Sequence, residues 1–326
     1  MGSETSDSRP VILDADPGVD DALAIMLALG SPELAVLGIC TVSGNVSLDI
    51  GTGNALRVLA LLGRDEVPVY PGAGGPLRRE AVYATEVHGP GGLGDSALPL
   101  PGRSSSGDAV SFLIETLSAL PGEVTLIAVG PLTNLALAEA RAPGVLKKAR
   151  EVCVMGGAVD EPGNITPVAE FNFFADPEAA RQVVRSGASI TLAPLDVTHR
   201  VALEASHLAE MPATPTGRFV RGAVRPAMEL AMRVRAGRQF FLHDPLAVGL
   251  AICPSLFRIE TVFADVETGG DLTAGQVVAD RRLFTTEGNR KGLPIRCALD
   301  VDAGRFLALF FPRIFSEAVS REDSRR

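Results

Sequence analysis

The chain has 326 residues, of which 46% are hydrophobic and 21% are charged, an ordinary composition for a soluble globular protein. Its length fits one large α/β domain or two smaller ones. The formal net charge of -9 argues against a nucleic-acid partner, because phosphate binding requires a basic surface.

The cysteines and the N-terminal segment indicate the cellular compartment in which the protein is expected. Cys40, Cys153, Cys253 and Cys297 are widely spaced and form no CxxC pair, so they predict neither a zinc site nor a disulfide framework. The segment MGSETSDSRP lacks the apolar core of a signal peptide, and no uninterrupted apolar run reaches membrane-spanning length. We therefore expect a cytoplasmic enzyme or binding protein with no membrane partner.

Seven short apolar or β-branched segments are predicted strands. In chain order they are residues 11–14, 34–42, 67–70, 124–130, 151–155, 189–194 and 259–263. Predicted helices lie near residues 20–29, 48–63, 107–120, 132–142, 176–186 and 245–252. Strands that are apolar throughout are typical of sheets covered by helices on both faces, and strand–helix alternation predicts parallel pairing. The expected fold is α/β, with an open, mainly parallel (mixed) sheet flanked by helices.

The domain organisation is predicted to be simple, because no linker or internal repeat divides the chain. Residues 10–315 are expected to form a single domain, with disordered tails at 1–9 and 316–326. Residues 203–239 have a helical but less regular pattern and are predicted to form a helical cap or flap. Ligands of open α/β sheets bind beyond the carboxyl ends of the strands, so the polar residues at those positions are candidates for function.

Four aspartates follow the first predicted strand within eight residues. Asp14 and Asp16 point to the same side of the extended chain, and Asp20 and Asp21 fall in the first turn of the next helix. Complementation of the helix dipole explains one or two acids, but carboxylates about 4 Å apart repel by roughly 4 kcal/mol at an effective dielectric near 20. Because no His or Cys is adjacent, a hard cation, Ca²⁺ or Mg²⁺, is the favoured ligand.

Two later segments carry further candidates. Asp244 precedes Pro245, an ordinary helix start like Asp176–Pro177, but its neighbour His243 can donate a proton near neutral pH. The segment 163–177 places polar groups among apolar ones, a pattern that indicates recognition of sugar hydroxyls beside an aromatic ring. These groups are Asn164, Glu170 and Asn172, with Phe171 as the aromatic, and Asn45 lies at another strand end.

Taken in order, these segments resemble the inosine–uridine-preferring nucleoside hydrolase family. Residues 14–25 read DADPGVDDALAI and match the aspartate-rich DxDPGxDDAxAI opening of that family. VSGN (42–45), GPLTNLA (130–136), MGG (155–157), AEFN (169–172) and HDP (243–245) follow in the family's order. The resemblance covers about residues 11–312 and implies a Rossmann-like nucleoside hydrolase fold. It also implies Ca²⁺-dependent hydrolysis of the N-glycosidic bond of ribonucleosides to free base and ribose.

The resemblance assigns roles residue by residue. The Ca²⁺ ligands would be the side chains of Asp16, Asp21 and Asp244 and the main-chain carbonyl of Val129. Asp16 would also be the general base toward a metal-bound water, and His243 would protonate the departing base in an oxocarbenium-like transition state. The ribose 2′- and 3′-hydroxyls would contact Asp20, Asn45, Asn172 and Asp244, and the 5′-hydroxyl would contact Asn164 and Glu170. His88 would lie near the base, Phe171 would belong to the substrate-binding segment, and Asp14 would support the metal ligands from behind.

Base preference stays open at this stage. Some members of the family stack purines on tryptophan, and this chain has none; its two tyrosines are Tyr70 and Tyr83. The resemblance implies a homodimer or homotetramer.

Two other functions remain possible from the sequence. A haloacid-dehalogenase-like phosphatase would use Asp14 as nucleophile and Asp16 as acid. Phosphoryl transfer needs a Lys or Arg near the transferring group, and no lysine follows a strand at a suitable place. A non-catalytic, Ca²⁺-dependent nucleoside or sugar binding protein would need no acid such as His243 opposite a base.

Overall fold

The computed structural model describes residues 8–233, 237 and 239–315. Of the predicted tails at 1–9 and 316–326, residues 1–7 and 316–326 lie outside the described residues. The described residues form eleven strands: β1 (Arg9–Ala15), β2 (Leu34–Thr41), β3 (Val69–Pro71), β4 (Thr125–Ala128), β5 (Glu151–Met155), β6 (Ile190–Ala193), β7 (Ala202–Glu204), β8 (Gln239–Phe241), β9 (Phe257–Val266), β10 (Val277–Ala279) and β11 (Leu293–Val301).

The helices alternate with these strands over most of the chain. They are α1 (Val19–Leu29), α2 (Leu48–Leu61), α3 (Thr85–His88), α4 (Ala109–Ala119), α5 (Thr133–Arg141), α6 (Phe171–Ala175), α7 (Pro177–Val184), α8 (Leu195–Thr198), α9 (Ala205–Glu210), α10 (Pro215–Arg233), α11 (His243–Ile252) and α12 (Ala303–Ile314). In the described part of the chain, no helix is long and apolar enough to cross a bilayer.

Nine strands form one sheet in the order β10-β9-β11-β6-β5-β4-β1-β2-β3. Strands β1 to β6 pair in parallel, β11 is parallel to β6, and β9 is antiparallel to both β10 and β11. The open, mainly parallel, mixed sheet predicted from the sequence is confirmed. All seven predicted strands are present, and β1 begins at Arg9, one residue before the predicted start of the domain.

The sequence did not predict β11 or α12. Strand β11 exposes Leu293, Pro294 and Arg296 and ends in half-buried Asp300 and Val301, so the segment lacks the continuous apolar character of the central strands. Helix α12 contains Pro312 yet buries Phe306, Phe310 and Ile314 against the core. Both elements are stabilised by tertiary packing, which a local pattern does not reveal.

The parallel strands bring their carboxyl ends to one edge of the sheet. Asp16 follows β1, Asn45 follows β2 and Val129 follows β4, so residues far apart in sequence become neighbours there. Helix α1 buries ten of its eleven residues, which fixes the turn between β1 and α1 against the core. A helix that is apolar on all sides is stable only in the interior.

The segment predicted as a cap lies above this edge. It contains α9 and α10, and β7 and β8 pair antiparallel at its two ends as a separate two-stranded sheet. Helix α10 packs against α3 and β8. Whether the segment moves as a flap stays a prediction.

Candidate active site

The turn after β1 is organised by Asp21. Its Oδ1 accepts the backbone N–H of Asp16 at 3.0 Å, and its Oδ2 accepts the backbone N–H of Gly18 at 2.9 Å. The side-chain amide of Asn45 donates to the same Oδ2 at 2.9 Å. Asp21 therefore closes its own turn and ties it to the loop after β2.

Asp16 is completely buried and only half satisfied. The backbone N–H of Asn45 donates to its Oδ2 at 2.6 Å, whereas Oδ1 has no hydrogen-bond partner within the described part of the chain. Two glycines permit the close approach of the neighbouring loops. A Cβ at Gly44 would lie 2.1 Å from Asp16 Oδ2, and one at Gly130 would lie 2.8 Å from Oδ1. Alanine at either position would displace the carboxylate.

Carboxylate oxygens of Asp20, Asp21 and Asp244 lie within 4.8 Å of one another, and all three residues are buried. Together with Asp16 we call these residues the acidic floor. Like Asp16 Oδ1, Asp20 Oδ1 and Asp244 Oδ2 are buried and find no hydrogen-bond partner among the residues that the structure describes. Among the residues that the structure describes, no Lys or Arg forms an ion pair with any of the four.

The carboxylates of the acidic floor resist ionisation in the protein alone. Burial raises the pKa of Asp20 and of Asp21 to about 6. Burial, followed by repulsion from the neighbouring aspartates, raises the pKa of Asp16 and of Asp244 well above the usual value. A cation would remove this penalty and use the unpartnered oxygens, so the residues present fit an oxygen-liganded metal. Three of the four predicted ligands, Asp16, Asp21 and Asp244, belong to the acidic floor. The three carboxylate oxygens that lie within 4.8 Å of one another come from Asp20, Asp21 and Asp244, so Asp20 replaces Asp16 in that set.

Asp244 differs from the other Asp-Pro helix start in this chain. Asp176 caps α7, since its Oδ1 accepts the backbone N–H of Ala179 at 3.0 Å. Asp244 lies inside the first turn of α11, makes no capping hydrogen bond and directs its carboxylate to the acidic floor. The capping role that its sequence permits is therefore absent.

Asp14, for which the resemblance implied a supporting role, is buried at the end of β1. The side-chain amide of Asn134 donates to Asp14 Oδ2 at 2.8 Å and to the carbonyl of Thr41 at 3.0 Å. Burial raises the pKa of Asp14 to about 7. This arrangement joins the ends of β1 and β2 to α5.

A cavity of about 670 Å³ opens above the acidic floor. It brings together these predicted residues: Asp20, Asn45, His88, Val129, Asn164, Glu170, Phe171, Asn172, His243 and Asp244. Asp16 and Asp21 are fully buried and are not part of its lining. The opposite side, which we call the upper wall, was not predicted and consists of Tyr83, Glu86, Val87, His199, Ala227, Leu230, Ala231 and Gln239 to Phe241.

Glu170 and Asn172 form one polar side of the cavity. Glu170 caps α6: its Oε1 accepts the backbone N–H of Asn172 at 2.8 Å, and its Oε2 accepts that of Gly157 at 2.9 Å. Burial raises the pKa of Glu170 to about 7. The Asn172 amide donates to the carbonyl of Val129 at 2.8 Å, so the predicted main-chain ligand and a predicted ribose contact are in direct contact.

His88 is held in one neutral form. Its Nδ1 accepts the backbone N–H of Val19 at 3.0 Å, so the ring proton is on Nε2. Burial lowers the pKa of His88 to about 4, and its 3.8 Å approach to Asp20 is therefore no ion pair at neutral pH. A Cβ at Gly18 would lie 2.6 Å from Nδ1, so glycine is required for this contact.

His243 lies at the start of α11 and lines the cavity, and its Nδ1 is 2.8 Å from Thr198 Oγ1. Burial lowers its pKa to about 3. The rings of His199 and Phe241 are centred 5.7 and 5.8 Å from that of His243, and 4.7 Å from each other. The sequence analysis missed His199. Its position shortly after β6, at a carboxyl strand end, was the signal available.

The arrangement has a defined chemical capacity. The floor and the Glu170–Asn172 side offer acceptors and donors for a small polyhydroxylated group, whereas the upper wall offers aromatic, apolar and imidazole surfaces for a heteroaromatic ring. A water activated by a buried carboxylate could attack the bond that joins the two groups, while an imidazole on the other side assists the leaving group.

Comparison with known proteins identifies the family of the chain. A sequence profile of the family described as inosine-uridine preferring nucleoside hydrolase matches residues 11–308. The chain is 38% identical over 311 residues to a pyrimidine-specific ribonucleoside hydrolase RihA from Citrobacter koseri, covering 94% of this chain and 97% of the relative. It is 41% identical over 284 residues to the RihA of Shewanella sp. strain MR-7, covering 85% and 88%.

Solved structures of related enzymes are similar to this chain over nearly its whole length. A plant nucleoside hydrolase, the PpNRh1 enzyme, superposes with a TM-score of 0.87 at 33% identity, covering 94% of this chain and 98% of that one. A purine-preferring ribonucleoside hydrolase from Gardnerella vaginalis gives a TM-score of 0.86 at 32% identity, with the same coverage. The resemblance inferred from the motifs is thereby confirmed. The chain belongs to the inosine-uridine preferring nucleoside hydrolase family and is an enzyme of the N-ribosyl hydrolase class.

Proposed function

We propose that the protein hydrolyses the N-glycosidic bond of ribonucleosides with Ca²⁺ bound at the acidic floor. The observation that carries this proposal is the set of unpartnered, buried carboxylate oxygens on Asp16, Asp20 and Asp244, directly beneath a cavity of nucleoside size. Buried carboxylates without a counter-charge are costly, so an apolar packing purpose does not account for them.

Asp16, Asp21, Asp244 and the carbonyl of Val129 would hold the cation. Carboxylate and carbonyl oxygens, with no Cys or His among them, favour Ca²⁺ over zinc. When bound, the cation would neutralise the acidic floor and lower the pKa of water in the site. The Asn172 amide, which already donates to the Val129 carbonyl, would keep that oxygen oriented.

The side chains of the chain divide the remaining work. Asp16 takes a proton from the attacking water, because it is buried beside the cavity with Oδ1 unpartnered. Asp20, Asn45, Asn172 and Asp244 bind the 2′- and 3′-hydroxyls. Asn164 and Glu170 bind the 5′-hydroxyl. Negative charge close to C1′ stabilises the positive charge that develops on the sugar in the transition state.

His243 assists the departing base from the other side, with His88 nearby. Because burial lowers the pKa of both imidazoles, they are neutral at pH 7, and each offers an N–H to the base. A neutral imidazole N–H stabilises negative charge on a leaving group by hydrogen bonding, so His243 serves as the donor opposite the general base.

Pyrimidine ribonucleosides are the first substrates to test. The RihA relatives, described as pyrimidine-specific, are more similar in sequence than the purine-preferring structural relative. The wall contributed by α10 consists of Ala227, Leu230 and Ala231, so it offers no polar side chain to a second ring of a purine.

The test is an assay of base and ribose release from uridine, cytidine, inosine and adenosine, before and after chelation of divalent cations. We expect turnover to be lost with the chelator and restored by Ca²⁺. Full activity in the chelated enzyme would exclude the metal, and ligand binding without turnover would favour the non-catalytic binding protein. Release of phosphate from p-nitrophenyl phosphate would revive the phosphatase interpretation, which family membership does not support.

A homodimer or homotetramer and a cytoplasmic location remain predictions. Exposed apolar side chains within residues 272–293, among them Leu272, Val278, Leu283 and Phe284, are compatible with contact between copies of the chain. Sedimentation of the purified protein would measure the oligomeric state.

A further inference from the structure

We propose that Thr198 is a positioning residue that fixes the tautomer and the ring orientation of His243, so that His243 presents Nε2–H to the leaving base. This inference rests on the proposed function, since it concerns how the same site assists base departure. It adds a residue from α8, an element to which neither the motifs nor the comparisons assign a role.

The contact itself is well defined. Thr198 Oγ1 lies 2.8 Å from His243 Nδ1, and Thr198 is fully buried. The two residues are 45 positions apart in the chain and begin or end different helices, α8 and α11. The short distance therefore depends on the packing of two elements at the carboxyl edge of the sheet, where α8 and α11 are in contact.

Among the described residues, the Thr198 hydroxyl has a single acceptor to which it can donate its proton. In the described part of the chain, His243 Nδ1 is the single hydrogen-bonding partner of the Thr198 hydroxyl. If Nδ1 carried the proton and donated it, the hydroxyl hydrogen would be buried without an acceptor, which costs free energy. The favoured arrangement has the hydroxyl donating to Nδ1, which leaves the proton of the neutral ring on Nε2.

Nε2 is then the nitrogen available to a ligand. It has no hydrogen-bond partner among the described residues, and His243 lines the cavity above Asp244. The rings of His199 and Phe241 are centred 5.7 and 5.8 Å from the imidazole and limit its rotation. The opposite tautomer would turn a lone pair toward the base and repel the negative charge that develops there, so loss of the Thr198 hydroxyl should harm base departure specifically.

His88 is a second histidine of the same site whose tautomer is fixed by a hydrogen bond to Nδ1. There the backbone N–H of Val19 donates to Nδ1 and thereby fixes the Nε2–H form. A backbone donor is removed only by proline, which also constrains the backbone, whereas the Thr198 hydroxyl can be removed with little change of shape. Thr198 is therefore the accessible handle for testing tautomer control.

The decisive variant is Thr198→Val, which keeps the shape and removes the hydroxyl. We expect kcat on uridine to fall about 10- to 100-fold with KM changed less than about 3-fold, because orientation is lost while binding persists. On p-nitrophenyl riboside, whose leaving group needs no proton, the loss should stay below about 3-fold. Thr198→Ser should restore most of the activity, because it returns the hydroxyl.

Two controls separate positioning from damage to the fold. Thr191→Val removes another fully buried threonine hydroxyl on the adjoining strand β6, which donates to Glu151 at 2.7 Å, and should leave the ratio of the two activities unchanged. In a His243→Ala background, Thr198→Val should cause no further loss, because Thr198 acts through His243. Equal losses on both substrates, or additive losses in the double variant, would overturn the proposal.

A readout independent of activity is the ¹⁵N chemical-shift pattern of the His243 ring, identified by its disappearance in His243→Ala. The wild-type protein should show the Nε2–H form, and Thr198→Val should show a mixture of tautomers. An Nδ1–H form in the wild type would refute the assignment of Thr198 even in an active enzyme. Absence of nucleoside hydrolysis in the wild type would instead refute the proposed function, and the ring signals would still report on Thr198.

Discussion

The acidic floor and the upper wall of the cavity are built on different principles. The floor consists of buried carboxylates just after β1 and on α1 and α11, and glycines in the neighbouring loops allow close approach to it. The upper wall comes from α3, α10, β8 and the residue after α8, and it includes exposed side chains such as Tyr83, which is 47% exposed. On the proposed function, the chemistry lies where the side chains are buried, and the contacts to the base lie where the cavity is more open.

The largest effect is expected from Asp16→Asn on the floor. Loss of the general base, combined with a weakened cation site, should lower kcat on uridine by at least about 10³-fold while a ribose analogue still binds. Steady-state kinetics and calorimetric titration with the analogue measure the two quantities. Asp176→Asn, which changes a helix-capping carboxylate away from the floor, is the matched control. Undiminished turnover in Asp16→Asn would remove this residue from the mechanism.

His243→Ala, where the floor meets the upper wall, should have a smaller and substrate-dependent effect. We expect about a 10²-fold loss on natural nucleosides and little loss on p-nitrophenyl riboside, because only the former need assistance to the leaving group. The ratio of the two rates is the measurement. Comparable losses on both substrates would show that His243 acts on the sugar or on the fold instead.

The floor should also make the effect of Ca²⁺ on stability depend on pH. The pKa values of Asp20 and Asp21 are raised in the folded protein to about 6 from 3.8, so the metal-free fold loses stability as pH rises from about 4 through about 6. Bound Ca²⁺ would compensate that repulsion, and the increase in Tm on addition of Ca²⁺ should be larger at pH 7.5 than at pH 5. Thermal scans at both values, with Mg²⁺ in parallel, test this expectation. An increase that is independent of pH would argue against cation binding by these carboxylates.

The smallest effect is expected from the upper wall. Gln239→Ala and Tyr83→Phe each remove a polar group of the upper wall that lines the cavity. Either change should alter the ratio of kcat/KM for uridine over inosine by less than about 10-fold, because single contacts to a base contribute modest discrimination. A loss as large as that of Asp16→Asn would mean that the upper wall takes part in the chemistry and would remove the distinction between the two regions.

The two Asp-Pro helix starts show how much of the site the local sequence predicts. Asp176–Pro177 and Asp244–Pro245 have the same local pattern, and the structure makes the first a cap and the second part of the floor. Only the neighbouring histidine and the order of the motifs distinguished them. The central strands, the acidic cluster after β1 and the polar segment 163–177 were predictable because each is encoded in a few consecutive residues.

The local sequence by itself determined which residues carry charge at the ends of the strands. Apolar strand segments are followed there by aspartate, asparagine and glycine, which are typical of strand ends and turns. Tertiary structure alone decided which of these groups meet. The contact between Thr198 and His243, the place of His199 in the upper wall, and the half-exposed strand β11 all depend on packing between distant segments. Such contacts leave no periodic signal in the chain, because their free energy arises only when the parallel sheet has brought its carboxyl ends together.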